Sequence, residues 1–405
     1  MPPATAHRPL STTASRFHLH AVRREPAFAH VETFETLAAA RDAWTRLARY
    51  APASAYQSFD FARIWSETVG AARGLAPLIV VARDAAGEPS ALLPLVRRSW
   101  GPVRIAVFLG GKDANFGMGL FHPDAEWSPQ AVRALLGAAA RAASLRVDAF
   151  LLANQPREWQ GAPNPMASAK GQPSPSFAYK SALPASFAAW RDAHASKEAQ
   201  KKQRKKLKRL EALGPLAYRR AADPAEAERI LAAFEAQKSA RMRELGVGDA
   251  YGAAEARECL ARLAQCGLDE GAPRLELHAL TLGERIIATF GGLAAGDRLS
   301  GLFLSYEADP EIARSSPGEL LVHAVVENAV ARRLRTLDLG VGEARYKNEA
   351  CEATEELFDS AHAVTPLGAA AAVAYLAKQR LKRRVKQSPR LFALSRRFGS
   401  VLGST

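Results

Sequence analysis

The fold of this chain is decided by residues 299–347, LSGLFLSYEADPEIARSSPGELLVHAVVENAVARRLRTLDLGVGEARYK. The apolar segment Leu299 to Tyr306 predicts a buried strand, and a polar loop separates it from an amphipathic helix that runs to about Leu334. A second strand is predicted from Thr336 to Gly340. Because strand, helix and strand follow in that order, we expect parallel pairing with a right-handed crossover.

The start of this helix carries clear capping signals. Ser316 is a suitable N-cap, Pro317 suits the first helical position, and Glu319 completes a capping box. Two interpretations stay open at this point. The helix is either a well-capped structural element, or its free N–H groups hold a phosphate, for which the Glu319 carboxylate would compete.

Length and cysteine content bound the class of protein. A chain of 405 residues predicts two domains, at roughly 150 residues each. Its three cysteines form neither a disulfide framework nor a zinc site, and they indicate a reducing compartment. No apolar run approaches the roughly 20 residues that cross a bilayer. We therefore expect a cytoplasmic protein without a metal.

The net charge of +14 is concentrated in two segments. Residues 197–209 carry eight basic residues and one acid, and residues 378–397 carry nine basic residues and no acid. Without these contributions of +7 and +9, the remainder of the chain carries −2. This distribution excludes a surface built throughout for nucleic acid.

Composition divides the chain into five parts. Residues 1–24 contain no acid and predict a disordered leader, with a transit peptide as the alternative. Residues 25–155 and 187–365 are the two predicted domains, and the proline- and serine-rich residues 156–186 are the predicted linker. Residues 366–405 form a basic tail.

The two domains share one order of elements. In the first, Ser128-Pro129 opens a helix that leads to a strand beginning at Val147, and Ser316-Pro317 opens the corresponding helix in the second. We interpret this as an internal duplication of one α/β unit, the alternative being chance similarity of two capped helices. The second domain is predicted as a basic helix (residues 187–213), a strand, two helices, three antiparallel strands, a helix and a strand.

That order and a set of motifs resemble one family. The motifs are Leu280-x-Leu-Gly-Glu-x-Ile-Ile-Ala, Ala313-Arg-Ser-Ser-Pro-Gly-x-Leu-Leu, Leu337-Asp-Leu-Gly and Gly342-Glu-x-x-Tyr-Lys in the second domain, with Tyr56-Gln-Ser, Trp65 and Leu93-Pro-Leu in the first. Over residues 30–365 the chain resembles the CelD/BcsL family. These are GNAT-like proteins associated with bacterial cellulose and exopolysaccharide synthesis, similar to the FemAB peptidyltransferases.

The resemblance implies a tandem duplicated GNAT (acyl-CoA N-acyltransferase) fold of mixed α/β sheets. In such a fold two parallel strands separate, and the thioester of acetyl-CoA or another acyl-CoA enters between them as co-substrate. The resemblance places the thioester beside Leu304, Ser305 and Tyr306. It places the pyrophosphate on the following loop and helix start, which are Arg314, Ser315, Ser316, Pro317 and Gly318. The usual loop contains more glycine than this one.

The same resemblance implies catalytic and acceptor-binding residues. Glu343, just past the strand end, and Asp338 are the candidate bases, and Tyr346 would protonate the leaving thiolate. Asp338 is alternatively a surface or salt-bridged aspartate, and Tyr346 a core aromatic. Lys347 and Arg345 are expected to bind an acidic or phosphorylated acceptor.

The first domain contains a glycine-rich loop with two further candidates. Asp113 and Asn115 are expected to bind substrate by shaping an acceptor cleft between the halves, or else simply to make a turn.

The expected function is that of an acyltransferase which does not transfer aminoacyl groups. It would move an acetyl or other acyl group to an amine or hydroxyl of an envelope-polysaccharide precursor, such as a lipid-linked sugar. The alternatives are a Fem-like transferase that uses aminoacyl-tRNA and a non-catalytic module of a polysaccharide-synthesis complex.

Each basic segment is either a solvated helix face or a binding surface. Residues 197–209 would bind phosphates of CoA, of a tRNA acceptor stem or of lipid headgroups. Lys378 to Arg397 would contact an anionic membrane, placing the protein at the inner membrane face.

Overall fold

The structure is a computed structural model that describes residues 27–168, 171–246, 248–249 and 251–388. The predicted leader and the end of the basic tail lie outside the described residues.

The described part of the first half contains nine strands and three α-helices. In order these are β1 (His30–Phe34), α1 (Leu37–Leu47), α2 (Phe59–Trp65), β2 (Ala76–Arg83), β3 (Pro89–Trp100), β4 (Val103–Phe108), β5 (Leu120–Phe121), α3 (Pro129–Ala142), β6 (Ala149–Pro156), β7 (Glu158–Trp159), β8 (Ala162–Pro163) and β9 (Gly171–Pro173).

In the second half, the residues that the structure describes form eight strands and eight α-helices. In order these are β10 (Ala178–Ala182), α4 (Phe187–His194), α5 (Lys197–Glu211), β11 (Leu216–Arg220), α6 (Pro224–Leu245), α7 (Ala254–Gln265), β12 (Leu275–Leu282), β13 (Arg285–Ala295), β14 (Arg298–Tyr306), α8 (Pro310–Ala313), α9 (Pro317–Ala331), β15 (Thr336–Val341), α10 (Arg345–Ala350), β16 (Ala353–Glu355), β17 (Leu357–Ala363) and α11 (Pro366–Gln387).

Two large mixed sheets repeat one topology. The first has the order β1-β2-β3-β4-β6-β17-β9, with β5 also paired to β3, and the second has the order β11-β12-β13-β14-β15-β10-β16. In each sheet the first four strands are antiparallel to one another, and the fourth then pairs in parallel with the fifth. The parallel pairs are β4 with β6 and β14 with β15. The shared order confirms the predicted α/β duplication.

One strand of the second half belongs to the sheet of the first half. β17, from the end of the second half, pairs with β6 in the first sheet, whereas β10 pairs with β15 in the second. The predicted linker, residues 156–186, therefore also forms strands, and it contributes β9 to one sheet and β10 to the other. Its proline and serine content indicated a connection but could not show these long-range pairings.

The halves also share a hydrophobic core. Trp65 and Phe116 of the first half belong to the same buried cluster as Phe234 and Leu263 of the second. Because this cluster crosses the boundary between the halves, burial of apolar surface holds them together.

Two helices differ from the sequence prediction. The basic helix expected at residues 187–213 is broken between α4 and α5, where the Ser196 hydroxyl accepts a hydrogen bond from Ala199 N at 3.2 Å and starts a new helix. The expected basic tail begins with α11, which packs on β17, β6 and β4. A Cβ at Gly368 would lie 1.8 Å from the Asp148 carbonyl oxygen, so the helix sits directly on the strand.

An insertion interrupts the fourth strand of the first sheet. Both β4 and β5 pair with β3, in line with each other, and residues 109–119 leave the sheet between them. The Pro94 carbonyl accepts from Leu109 N at 2.9 Å, so the side of Pro94 that has no N–H also faces this interruption. The strand beside Pro94 is interrupted at this point, so no carbonyl group there requires the N–H that proline lacks. Proline is therefore tolerated in this central strand.

Candidate functional site

β14 and β15 separate after a short parallel pairing. Arg298 to Ser300 lie opposite Thr336 to Asp338, and no further ladder joins the two strands. The Asn115 side chain lies between them instead, donating from Nδ2 to Gly301 O at 3.0 Å and accepting at Oδ1 from Val341 N at 3.2 Å. We call the space between the diverging ends of β14 and β15 the second gap, and Asn115 forms its floor.

The first half holds Asn115 in place. Asn115 Nδ2 also donates to the Tyr56 hydroxyl at 2.7 Å, and Gln57 Nε2 donates to Phe116 O at 2.9 Å. Tyr56 is buried, which raises its pKa, and the nearby Asp338 carboxylate raises it further. Two residues of the Tyr56-Gln57-Ser58 motif therefore position the inserted loop.

Gly340 makes room for this contact. Its φ is +73°, and a Cβ built there would lie 2.4 Å from Asn115 Nδ2. Both the left-handed backbone and the approach of Asn115 require glycine at this position. This accounts for the glycine of the Leu337-Asp-Leu-Gly motif.

Asp338 is fully buried and its carboxylate is fully engaged. Oδ2 accepts from Arg298 Nε at 2.7 Å and from Ser300 Oγ at 2.6 Å, and Oδ1 accepts from Gly340 N at 3.1 Å. Burial raises the pKa of Asp338, and Arg298 and Ser300 oppose that shift. The geometry supports the salt-bridged alternative rather than a catalytic base, because neither oxygen is open to an acceptor substrate.

Arg298 anchors this carboxylate from a buried position. Its second partner is Glu355, at 2.8 Å from Nη2, and its guanidinium lies 3.8 Å from the centre of the Trp159 ring. Burial lowers the pKa of Arg298, but Asp338 and Glu355 raise it on balance. Arg298 was not predicted as a site residue, because nothing in the sequence pattern of β14 distinguishes a buried arginine from an exposed one.

The corresponding space in the first sheet, the first gap, is closed by the chain itself. β4 and β6 pair only at Ile105–Ala149 and Ala106–Phe150. Beyond that point Gly117 lies between the strands, and its amide donates to Asn154 O at 3.1 Å. A Cβ at Gly117 would lie 2.5 Å from the Phe108 ring and 2.7 Å from Ala153 O, so the backbone fills the first gap.

The start of α9 differs from the predicted capping box. Ser316 occupies the N-cap position in a left-handed conformation with φ 52°, and its side chain makes no capping hydrogen bond. Glu319 pairs with Lys206 of α5 at 2.6 Å instead of folding back onto the helix start. Its carboxylate therefore does not occupy the amides where an anion is expected.

Two hydrogen-bonding groups at this helix start have no partner in the part of the chain that the structure describes. The hydroxyl of the buried Ser315 has none among the described residues, and neither has the amide of Gly318. A Cβ at Gly318 would lie 3.1 Å from Tyr306 Cδ1 and 3.7 Å from Leu304 Cδ2, so α9 begins against the end of β14. An amide and an orphaned hydroxyl at a helix N-terminus fit a phosphate group.

The structure thus brings together most residues predicted to hold the donor. Leu304 and Tyr306 contact the start of α9, and Ser305 is buried in the same strand. The Arg314 side chain is largely exposed and lies 3.6 Å from Glu311. Pro317 is the first residue of α9.

The basic helix α5 lies beside this helix start. Besides the Lys206–Glu319 pair, Gln203 Nε2 lies 2.8 Å from His323 Nδ1 and Arg209 Nη1 donates to Arg314 O at 3.4 Å. The exposed basic residues of α5 without an ion pair in the described structure are Lys197, Lys201, Arg204, Lys205 and Lys208. A positive face about 22 Å long therefore borders the predicted phosphate site.

Lys347 belongs to α10, and its buried side chain reaches back to the end of β15. Its Nζ donates to Val341 O at 3.1 Å and to Gly340 O at 3.4 Å. Burial lowers the pKa of Lys347 to about 8, with Asp338 opposing the shift. Two of its three N–H donors are used, and one remains for a substrate atom.

The other predicted residues near the end of β15 are spread over different environments. Glu343 is exposed just beyond the strand, and Arg345 is exposed and pairs with Glu349 at 2.8 Å. Tyr346 packs against the core of the second half, and burial raises its pKa. Asp113 remains in the first half, where it accepts from Trp65 Nε1 at 3.0 Å and Arg73 at 2.7 Å.

Two clefts that the sequence did not predict lie on the first half. The larger, of about 650 Å³, is lined by polar residues that include Arg46 and His122. The smaller, of about 240 Å³, is lined by aromatic and proline side chains and reaches Trp159, which stacks on Arg298. Within the described ranges, no three His, Cys, Asp or Glu side chains group as metal ligands.

Comparisons with known proteins agree with this architecture. Residues 197–348 match the family described as acetyltransferase (GNAT) domain. A search of curated proteins gave no match. Among solved structures, FemX aligns with a TM-score of 0.55 at 10% identity, covering 88% of this chain and all of that chain.

Two further structures align over similar lengths. The C-terminal domain of a putative lysylphosphatidylglycerol synthetase from Agrobacterium fabrum has a TM-score of 0.51 at 12% identity, covering 84% of this chain and 96% of that chain. A conserved protein of unknown function from Bacteroides thetaiotaomicron has the same TM-score and identity, covering 81% and 98%.

At such low identity these structures show the fold alone. With the repeated topology and the match over residues 197–348, they confirm the predicted tandem GNAT fold, whose second half is similar to the acetyltransferase (GNAT) domain family. The narrower resemblance to the CelD/BcsL family is not confirmed by them.

Proposed function

We propose that this chain is a GNAT-type acyltransferase whose donor site is the second gap. It transfers an acyl group, acetyl first among the candidates, from acyl-CoA to an amine or hydroxyl of an envelope-polysaccharide precursor in the bacterial cytoplasm. The observation that carries the proposal is the start of α9, where the unpartnered Ser315 hydroxyl and Gly318 amide meet the end of β14 beside a basic helix.

The donor would lie along β14. Its pyrophosphate would bind at Ser315 and Gly318, and its thioester would follow the strand past Leu304 toward the floor of the second gap. Because the Asn115 side chain joins both strands there, the gap ends at that amide. Because the Asn115 side chain limits how far the acyl group can extend between the strands, the second gap favours a short acyl group.

The chemistry would use the residues at the end of β15. Glu343 would take the proton from the attacking amine or hydroxyl as that atom bonds to the thioester carbonyl carbon. The free N–H of the Lys347 ammonium would stabilise the oxyanion until the carbon–sulfur bond breaks. Tyr346, whose raised pKa keeps its hydroxyl protonated, would donate a proton to the departing thiolate.

The acceptor would approach from the first half. The cleft of about 240 Å³ is bordered by the Trp127 and Trp159 rings, whose apolar surfaces suit one face of a sugar ring. Trp159, which lines this cleft, packs on Arg298 in the paired part of β14, next to the second gap. This placement supports an acceptor that carries a sugar.

A second candidate donor is aminoacyl-tRNA. The exposed basic residues of α5 extend along the whole helix, a longer positive surface than the phosphates of CoA require. FemX and the C-terminal domain of a putative lysylphosphatidylglycerol synthetase are similar in fold to this chain, and the second name refers to a product that contains a lysyl group. This hypothesis predicts tRNA binding that weakens steeply with salt.

Thermal unfolding with candidate donors tests the proposal. Acetyl-CoA, longer acyl-CoAs, and charged and uncharged tRNA would each be added to the purified chain. A donor near 100 times its Kd should stabilise the native state by about 2.7 kcal/mol. We expect a shift with an acyl-CoA that Gly318→Leu abolishes and that Arg335→Ala, at an exposed position away from the site, preserves.

The outcomes separate the hypotheses. A shift only with tRNA, lost in Lys201→Glu and Lys205→Glu, would replace CoA by aminoacyl-tRNA as donor. No shift with any donor would refute both and favour a non-catalytic module, for which Glu343→Gln should leave function in cells intact.

A further inference from the structure

The outer face of α11 is an exposed apolar stripe. Large apolar side chains are exposed at Leu367 (38%), Val373 (70%) and Leu381 (59%). The exposed residues between them on the same face are alanines, Ala370, Ala374 and Ala377. These positions recur every three or four residues, so they form one face of the helix, opposite the Ala371 and Ala372 face that packs on the first sheet. Other exposed residues, Ala369, Lys378 and Arg380, lie beside the exposed face.

Exposed apolar residues are concentrated here. Ten large hydrophobic residues are exposed in the described chain, and four of them lie between residues 364 and 381. Two more, Trp100 and Leu145, belong to the neighbouring sheet and its connections. A monomeric protein seldom exposes a contiguous apolar patch without a partner for it.

Trp100 extends the stripe. It lies directly opposite Val103 on the adjacent strand, and Val103 belongs to the buried cluster that contains Ala371 and Ala372. Side chains directly opposite each other point to the same face of a sheet, so Trp100 points to the α11 side. Arg98 lies opposite Ile105 of the same cluster and is exposed on that side as well.

The same helix is strongly basic. Residues 378–386 contain six basic residues, and the chain contains no acid after Asp359. Arg380, Arg383 and Lys386 bond to uncharged groups, namely Gln172, the Ser174 carbonyl and Ser176. Their charges are therefore not neutralised within the protein.

The sequence after the described residues continues this composition. Residues 389–398, PRLFALSRRF, contain three further arginines among apolar residues. No helix among the described residues is long and apolar enough to cross a membrane.

We propose that the outer face of α11, together with Trp100, docks onto the surface of an anionic lipid bilayer. The apolar stripe enters the headgroup region while the basic residues contact anionic headgroups, the arrangement typical of interfacial helices. Tryptophan prefers that same interface. Bilayer lipid is favoured over nucleic acid as the partner because nucleic acid would use the charges but leave Val373 and Leu381 in water.

Co-sedimentation with lipid vesicles tests this docking in the absence of any donor or acceptor. The full chain would be mixed with vesicles of phosphatidylcholine alone and of phosphatidylcholine with about 30% phosphatidylglycerol. We expect binding to the anionic vesicles, weakened by salt. Arg384→Gln should weaken it about fivefold, since one basic residue near an anionic surface contributes about 1 kcal/mol.

A double variant and a control variant locate the surface. Val373→Glu with Leu381→Glu should lower vesicle binding by at least about tenfold, because two apolar residues leave the interface. Leu245→Glu, at a similarly exposed apolar position on α6, should leave it unchanged. Circular dichroism and the melting temperature of each variant would show that the fold is retained.

Several outcomes would overturn the inference. These are no binding to anionic vesicles, equal binding to neutral vesicles, or loss of binding in Lys201→Glu with Lys205→Glu while the α11 variants still bind. Binding of tRNA that the Val373 and Leu381 substitutions abolish would identify α11 as a nucleic-acid surface instead. Because no donor is present, none of these results depends on the proposed enzymatic reaction.

Discussion

The first and second gaps arise from the same divergence of two parallel strands but end differently. In the first sheet the backbone at Gly117 lies between β4 and β6 and bonds to Asn154 O. In the second sheet, beyond the parallel pairing, the Asn115 side chain joins β14 to β15 and no backbone ladder does so among the described residues. One inserted loop, residues 109–119, thus closes its own gap with main chain and supplies a side-chain floor to the other.

This difference shows how a duplicated fold can retain one site. A backbone segment in the first gap cannot be displaced without breaking the sheet, whereas a single side chain leaves the rest of the second gap open. The first half therefore acts on the second gap rather than duplicating it. Substitutions in each gap should then have different effects.

The largest effect is expected where β14 and β15 begin to separate. Arg298→Met leaves Asp338 and Glu355 buried without their shared guanidinium, so the free energy of unfolding should fall by about 3–5 kcal/mol in urea denaturation. Arg335→Met removes an exposed arginine 3.6 Å from Asp297 and should change it by less than about 0.5 kcal/mol.

The pH dependence sharpens this test. Arg298 opposes the burial that raises the pKa of Asp338, so without Arg298 this native pKa rises further and the native state binds more protons than the unfolded state as the pH falls. The deficit of Arg298→Met should then be smaller at about pH 5 than at about pH 7.5. A deficit independent of pH would show that lost stacking on Trp159, not buried charge, causes the instability.

The next effect concerns catalysis in the second gap. Lys347→Met removes a proposed oxyanion donor and should lower turnover about 100- to 1000-fold. Since the lowered pKa of Lys347 is about 8, its ammonium is lost as the pH rises through that value, and wild-type activity should decline there. Lys347→Arg keeps the charge and should not show this decline.

Thiol release from acetyl-CoA with hydroxylamine as surrogate acceptor measures this profile. Rates between about pH 6 and about pH 9.5 would be divided by the enzyme-free rate at each pH. Activity that rises through the Lys347 pKa of about 8 would contradict the oxyanion role and identify neutral Lys347 as the base.

A smaller effect is expected in the first gap. Gly117→Ala places a Cβ 2.7 Å from Ala153 O, and backbone cannot move aside easily, so stability should fall by about 1–3 kcal/mol. Gly137→Ala in α3 meets only the end of Arg141 at 3.5 Å and should raise stability by up to about 1 kcal/mol. Equal melting temperatures for the two variants would mean that the first gap has room.

The smallest effect concerns the floor of the second gap. Asn115→Ala should raise the preference for butyryl-CoA over acetyl-CoA about tenfold, since each buried methylene contributes about 0.8 kcal/mol. Asp113→Asn, two residues away but bonded within the first half, should not change the ratio of kcat/KM values. An unchanged preference in Asn115→Ala would place the acyl group elsewhere.

The sequence predicted local elements well because their signals are local. β14 and β15 match their predicted bounds to within one residue, and Ser128 caps the helix that it was expected to begin. The repeated order of elements was sufficient to indicate the duplicated fold. Capping and periodicity depend on neighbours a few residues away, which a single sequence contains.

The remaining features depend on residues far apart in the chain. Glu319 satisfies the pattern of a capping box, yet Lys206, 113 residues earlier, binds its carboxylate. The sequence left Asp338 open as a base or as a surface or salt-bridged aspartate, and it is Arg298, 40 residues earlier, that pairs with it in a buried position. Asn115 joins strands 186 and 226 residues further on, and no local pattern distinguishes it from a turn residue.

The pairing of β17 with β6 has a consequence for synthesis. β6 is made long before β17, its neighbour in the first sheet, so the ribosome must add about 200 residues before that edge is covered. At about 5–20 residues per second this takes roughly 10–40 s. During that interval an unpaired strand edge is open to other nascent chains, and a chaperone that shields it would raise the yield of folded protein more than slower translation would.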